Sequence, residues 1–578
     1  MSTFTDAPGR KVSAPRQRFP WLLVPAAGVL LGGYGLPLLV VVFTSVNRGK
    51  AFSLAAYQEI FSSTLFLEIL GRTFWMSSIV TFLCALLAYP VAYHLAFNVG
   101  RARNVVLALI TVPYLSSVLI RSYSWISILG NSGIVNETLI GLGLTDGPLP
   151  LIFSRTGSYV GMVHVLLPMM VLPLYASLAR IDPLLAKAGN SLGAGPATSF
   201  WTIVLPLSRP GLVAGSALVF LCGLGFYITP AMLGAPGDYL LAQAIEVRVS
   251  TLGDFDTAAA LACTLLLIVT MGLYLFREQI VSLDSPGSEG RSRLAGGGAW
   301  DRSPNGKGRL LLALLDSCSI LARPALNAWL LAVLLFLLAP MIVVVMISFS
   351  SAPYLTFPPP GYSLRWFSAL FADVRWRDAG GFSVAIAVAS AATAVAVGAP
   401  FSLSLARGTY RGRRILWLAA VTPMIMPHIV LGLGLLFTLV KVGLNGTAFS
   451  FWLAYTVIGL PYVVVILTAA ISRFDVMYEK AALSLGARPI RVFATVTLPI
   501  LASAFASAFL FAFLSAFDDV ILSMFLSSPR RTTLTMLMWE DIRLEISPKT
   551  AVVGAVQLAI LLAAIPAFHL FQRHKNPV

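Results

Sequence analysis

Charge is scarce in this sequence. Asp, Glu, Lys and Arg make up 11% of its 578 residues, against about 25% in ordinary soluble proteins. That excludes a soluble globular enzyme, a disordered protein and a nucleic-acid binder. Cysteine is scarcer still. Cys84, Cys222, Cys263 and Cys318 show neither metal-ligand spacing nor a disulfide framework. No phosphate loop of the form G-x-x-x-x-G-K-[ST] occurs, since Gly306-Lys307-Gly308 lacks both the spacing and a preceding strand. The chain therefore has no means of hydrolysing ATP by itself. No Ser-His-Asp or metal constellation stands out, and no resident cofactor is expected.

What fills the sequence instead is apolar: 58% of its residues are hydrophobic. About 20 such residues make one membrane span, and runs of that kind lie near 21–45, 74–97, 104–123, 159–179, 209–231 and 256–276. Six more lie near 327–350, 381–405, 415–440, 450–472, 501–522 and 550–570. The expected fold is all-α: a polytopic membrane protein of two pseudo-symmetric six-helix domains. The first run has no trustworthy cleavage pattern and reads as an uncleaved span. The net charge of +16 sits in short tracts between runs. With a cytoplasmic N-terminus, Arg101 and Arg103, Arg180 and Lys187, Arg407 and Arg411, Arg473 and Lys480, and Arg573 and Lys575 all fall on the cytoplasmic side. This agrees with the positive-inside rule and places both termini in the cytoplasm.

The halves repeat. A constant offset of 293 aligns Leu167-Pro168 with Leu460-Pro461, Arg180 and Asp182 with Arg473 and Asp475, and Ser191-Leu192-Gly193-Ala194 with Ser484-Leu485-Gly486-Ala487. It continues through Pro196, Phe200, Thr202 and Leu205-Pro206, matched by Pro489, Phe493, Thr495 and Leu498-Pro499. Each half has an even number of spans, so the repeats run in the same direction about a pseudo-two-fold axis along the membrane normal. The expected domains are 1–277 and 311–578, joined by a cytoplasmic linker at 278–310 that contains Gly296-Gly297-Gly298.

The best-matched part of the repeat lies between the fourth and fifth spans, not within a span. Its second copy reads Glu479-Lys480-Ala481-Ala482, three residues, Gly486-Ala487, then Leu498-Pro499. This describes a short helix, a Gly break that permits φ > 0, a second short helix, and Pro where a span begins. One copy is readable as a re-entry loop; two in register indicate paired docking of a cytoplasmic partner. The pattern resembles the EAA segment of permeases from binding-protein-dependent ABC importers, here two permeases fused in one chain.

The resemblance implies coupling helices at about 183–193 and 476–486, with Lys187, Gly193, Glu479, Lys480 and Gly486 at the ATPase contact. The first copy has Ala186 where the family favours Glu. It further implies two ATPase subunits that carry ATP and Mg, a periplasmic solute-binding protein, surrounding lipid, and a place in the bacterial inner membrane. Pro113-Tyr114-Leu115-Ser116, Ile120-Arg121-Ser122-Tyr123-Ser124-Trp125 and Gly225-Phe226-Tyr227 look like the first permease of spermidine/putrescine importers. Met426-Pro427-His428 and Ala516-Phe517-Asp518-Asp519-Val520 look like the second. Importers of iron(III), thiamine or aminophosphonates share the scaffold and stay open as alternatives.

A charge inside a membrane is costly and marks a functional candidate. Asp518 and Asp519 are the embedded carboxylates, roughly 26 Å of helix rise from the cytoplasmic end of their run. They suit a cationic substrate, though a solvated helix end is the plainer reading. At about 100° per residue, only one of them faces a cavity squarely. His428, after Pro427, is either a polar contact or a packing residue. Arg121, Tyr123 and Trp125 sit where the third span leaves the membrane, as an aromatic belt or a gate. Tyr227 matches the Asp518 region and is placed in the same cavity. His94, His164 and His569 read as packed or interfacial. An ion-coupled secondary carrier fits twelve spans equally, but its best-matched residues would lie at the midplane. A channel lacks a filter segment.

Overall fold

In a computed structural model the structure describes residues 20–48, 51–97, 101–277, 279, 319–408, 410, 412–544 and 547–575. Of the linker expected at 278–310, all but residue 279 lies outside the described residues. The chain is helical nearly throughout; a two-residue hairpin pairs Asn47–Arg48 with Ala51–Phe52.

Among the described residues, eight helices are long and apolar enough to cross a membrane. They are Trp21–Ser45, Thr64–Phe97, Arg155–Leu178, Pro196–Leu224, Phe255–Leu275, Pro324–Ser348, Val374–Arg407 and Ala448–Arg473. Three further candidates are bent pairs, and Lys549–Lys575 supplies a last helix. Each of the twelve expected runs falls on one of these.

Four of them are not the continuous spans expected; that at 209–231 ends its helix at Leu224 and resumes at Ile228. The run at 104–123 breaks between Leu115 and Val118 with a bend of 96°, and that at 415–440 breaks between Ile425 and His428 with one of 97°. Proline is the cause at both: Pro113 and Pro423 lie inside the first arms, and Pro427 has no N–H to continue the ladder. The run at 501–522 is entered through a 76° bend between Ile500 and Ala502, and its helix ends at Phe517. Non-helical backbone at membrane depth is tolerated only where protein buries it. Accordingly Ser117, in the break between Leu115 and Val118, is buried, as is the helix that follows it from Leu119 to Leu129.

The repeat is visible element by element. Thr64–Phe97 and Val374–Arg407 are both 34 residues long, and their starts lie 310 residues apart, at 64 and 374. From the fourth span on the separation is 293, as between 155 and 448. Even the caps repeat: the Ser154 hydroxyl accepts from the Gly157 N–H, and Thr447 does the same for Ser450. A π turn at Phe200–Val204 recurs at Phe493–Thr497.

The compact units are not the two sequence halves. One comprises 1–37, 383–424 and 439–519; the other comprises 38–382, 425–438 and 520–578. In the first, Ala26 of the N-terminal span clusters with Phe401, Leu405, Leu460 and Val464. In the second, Val333 and Leu337 cluster with Val80, Leu166 and Met170, and the Trp329 indole donates to the Leu87 carbonyl at 3.3 Å. The opening span of each half thus packs on the other half. Apolar burial is non-directional, so such a helix settles wherever a complementary groove lies.

Candidate functional site

The repeated segments are built alike. Pro183–Ser191 and Met477–Ser484 are short helices, each followed by a glycine with positive φ: +85° at Gly193 and +86° at Gly486. Side chains rarely adopt that conformation, which is why glycine stands at both. The leucine before each glycine, Leu192 and Leu485, is 89% exposed. Lys187 and Lys480 are exposed as well. Both segments therefore present an apolar side chain and a lysine to the outside.

Glu479 faces inward instead. Both of its carboxylate oxygens accept from Arg407, one from Nη2 at 3.0 Å, and Oε1 also accepts from the Thr497 hydroxyl. Burial alone would raise the Glu479 pKa. The Arg407 and Thr497 hydrogen bonds, with the Arg407 charge, outweigh it and hold the carboxyl below its usual range.

A second cluster lies in the unit that contains 38–382. The Leu241–Ser250 and Leu534–Leu544 helices occupy matching places, 241 and 534 being 293 apart. The first carries Glu246, which is 7% exposed and whose Oε1 accepts from Ser250 at 2.7 Å. The second carries Trp539, whose ring centroid stands 5.6 Å from that of Tyr227. The Arg543 guanidinium lies 5.7 Å above the Trp539 ring and 4.0 Å from the Glu246 carboxylate. The arrangement is an aromatic pair beside a buried carboxylate, with a cation against both.

Tyr123, fully buried, donates its hydroxyl to the Ser547 carbonyl at 3.0 Å. Ser122 and Thr229 bond at 2.9 Å and tie Val118–Leu129 to Ile228–Leu233. Gly225 lies against Pro427 so closely that a Cβ there would be 2.6 Å from the proline Cβ. The break before His428 thus meets the turn that carries Tyr227.

Several expected placements change. Arg121, Tyr123 and Trp125 form no interfacial belt: they are at most 5% exposed, in the second arm of a broken helix. Trp125 packs on His164 and Phe336 at 5.6 and 5.4 Å, and the Arg121 Nε donates to the Ser117 carbonyl at 3.3 Å. Asp518 and Asp519 are not inside a continuous span. Asp518 caps Ala502–Phe517 with its N–H on Leu514, and Asp519 is buried, its carbonyl accepting from the Tyr455 hydroxyl at 3.4 Å. His428 is half-buried at the start of His428–Lys441.

Glu246 and Trp539 had escaped sequence reasoning because their helices are short and partly charged. The 293 offset that aligns Leu241 with Leu534 was the available signal.

The profile described as "Binding-protein-dependent transport system inner membrane component" matches residues 398–575. The spermidine/putrescine transport system permease protein PotB of Escherichia coli (strain K12) is 33% identical over 261 residues, 44% of this chain and 94% of that protein. The putrescine transport system permease protein PotI of the same strain is 32% identical over 253 residues, 41% of this chain and 90% of that protein. Among solved structures, a bacterial ABC transporter involved in the import of alginate is 17% identical with a TM-score of 0.37, over 45% of this chain and 94% of that one. A single-length relative accounts for less than half of the chain, as fits two permeases joined end to end. The chain belongs to the binding-protein-dependent transport system inner membrane components: it is a multi-pass inner-membrane permease component of an ABC importer, with two permease-like halves.

Proposed function

We propose that this permease imports a polyamine or a related small amine. A periplasmic solute-binding protein delivers the substrate, and two ATPase subunits docked at 183–193 and 476–486 drive its passage. Both termini are then cytoplasmic. The observation that carries the substrate class is the Tyr227–Trp539 pair beside buried Glu246. Electron-rich ring faces and a desolvated carboxylate are what an alkylammonium group needs in place of its water. Arg543 already rests against both groups, so the cluster accepts a cation. The relatives named for spermidine and putrescine support the same class.

The test is uptake of labelled putrescine and spermidine by proteoliposomes that hold the permease with its ATPase and binding protein. ATP-dependent uptake that is lost in Glu246→Gln supports the reading. Absence of uptake of either amine, or full uptake by Glu246→Gln, contradicts it.

A further inference from the structure

The two docking segments occupy matching places but are held by different chemistry. In the second half the segment is tied by charge. Arg407, the last residue of Val374–Arg407, and Thr497, the last of the π turn Phe493–Thr497, both donate to Glu479. The Arg407 and Glu479 side chains are 18% and 13% exposed, and Arg407 also lies 5.8 Å from the Phe474 ring.

None of these groups exists in the first half. The 310 separation puts Phe97 opposite Arg407; the 293 separation puts Ala186, Val204 and Ile181 opposite Glu479, Thr497 and Phe474. Phe97, Ile181 and Val204 belong to one apolar cluster. There the segment meets its π turn through Gly189, where a Cβ would lie 2.9 Å from the Ile203 Cδ1. Every charged or hydrogen-bonding member of the second-half arrangement is thus an apolar residue in the first.

We infer that Arg407 and Thr497 are positioning residues for coupling in the second half alone, holding its docking segment by an ion pair, while the first half carries apolar residues at the same positions. This rests on the docking role of both segments. The physical argument is the asymmetry of buried ion pairs. Removing one partner strands a desolvated charge, whereas replacing the whole set by apolar groups is close to neutral. The first half displays the apolar solution in the same fold.

The experiment transplants it. Arg407→Phe is compared with the triple variant Arg407→Phe/Glu479→Ala/Thr497→Val, which copies Phe97, Ala186 and Val204. Each is purified as the full chain with its ATPase. The readouts are the ATPase retained and its hydrolysis rate on the chain relative to ATPase alone. Arg407→Phe is expected to retain at least ten-fold less ATPase or to lose control of hydrolysis, and the triple variant to recover to within about three-fold of the native chain. Native behaviour of Arg407→Phe, or a triple variant no better than the single, overturns the inference. Should Arg407→Phe fail to insert, the triple variant decides: recovery supports the clamp and a ten-fold loss overturns it. Gly486→Trp runs in parallel, because its site is open and touches no member of the clamp. If Gly486→Trp retains its ATPase and keeps native control of hydrolysis, the docking role fails and the clamp's role with it. If Gly486→Trp loses ATPase while Arg407→Phe does not, the clamp alone fails.

Discussion

Tyr227 and Trp539 come from opposite halves of the sequence and stand with ring centroids 5.6 Å apart, tilted by 48°. Each occupies a turn or short helix that follows the fifth span of its half. If an ammonium group passes between such rings, Trp539→Ala should weaken uptake of putrescine by about 0.5–2 kcal/mol of transition-state stabilisation. Glu246→Gln should cost more, about 1.5–3 kcal/mol, because it removes a charged hydrogen-bond partner. Initial uptake rates at limiting substrate measure both. Equal, small effects of the two variants would remove the carboxylate from the pathway.

Asp518 and Asp519 make a separate prediction. Asp518 terminates a helix and Asp519 is buried beside Tyr455. They lie in a break rather than along a helix, so their side chains need not diverge by the helical angle. One of Asp518→Asn and Asp519→Asn should still impair uptake more than the other while ATPase binding is unchanged. Native uptake by both variants would make them structural and shift attention to His428 and Arg121.

Acid should loosen the 234–239 turn. The Asp238 carboxylate accepts from Arg155 and pairs with Arg72 at 3.1 Å, and the Arg155 hydrogen bond is the largest influence holding its pKa below the usual range. A depressed carboxyl stabilises fully above its unfolded value, about 3.9. That contribution disappears as pH falls through the lower folded value. Limited proteolysis of this turn in the solubilised protein should therefore speed up on acidification below about pH 4. Asp238→Asn should be cleaved faster at neutral pH and respond little to acid. The matching positions of the second half, Phe382, Arg531 and Ala448, carry no such triad.

The linker supplies a topological prediction. Single cysteines at 285 or 295 should resist impermeant thiol reagents in intact cells and react after permeabilisation. Cleavage within 278–310 should leave transport intact. Labelling from the periplasmic side would invert the orientation.

How much of this was legible in the sequence depends on the interaction that fixes each feature. Spans follow from the length of apolar runs, so Thr64–Phe97 and Ala448–Arg473 lie where hydropathy puts them. The breaks at Pro113–Ser117 and Pro423–Pro427 carried a local signal in their prolines, yet a near-right-angle bend depends on the groove that receives the second arm. Arg121 and Trp125 were misplaced for that reason. The exchange of opening spans, with Ala26 on Phe401 and Leu337 near His164, leaves no mark in an apolar pattern because any apolar surface satisfies it. Arg407 read as one more basic loop residue that sets orientation. Its partner, 72 positions away, is evident only in three dimensions.

The central claim, that Gly193 and Gly486 mark paired docking segments for an ATPase, is tested most directly by Gly486→Trp in the purified permease–ATPase complex. A tryptophan at φ = +86° is strained by about 1–2 kcal/mol and projects into open space beside exposed Leu485. The account predicts that ATPase is lost from the complex, or stays but hydrolyses ATP without transport, and that Gly193→Trp does less damage. A Gly486→Trp complex with native ATPase content and native transport per ATP would contradict it.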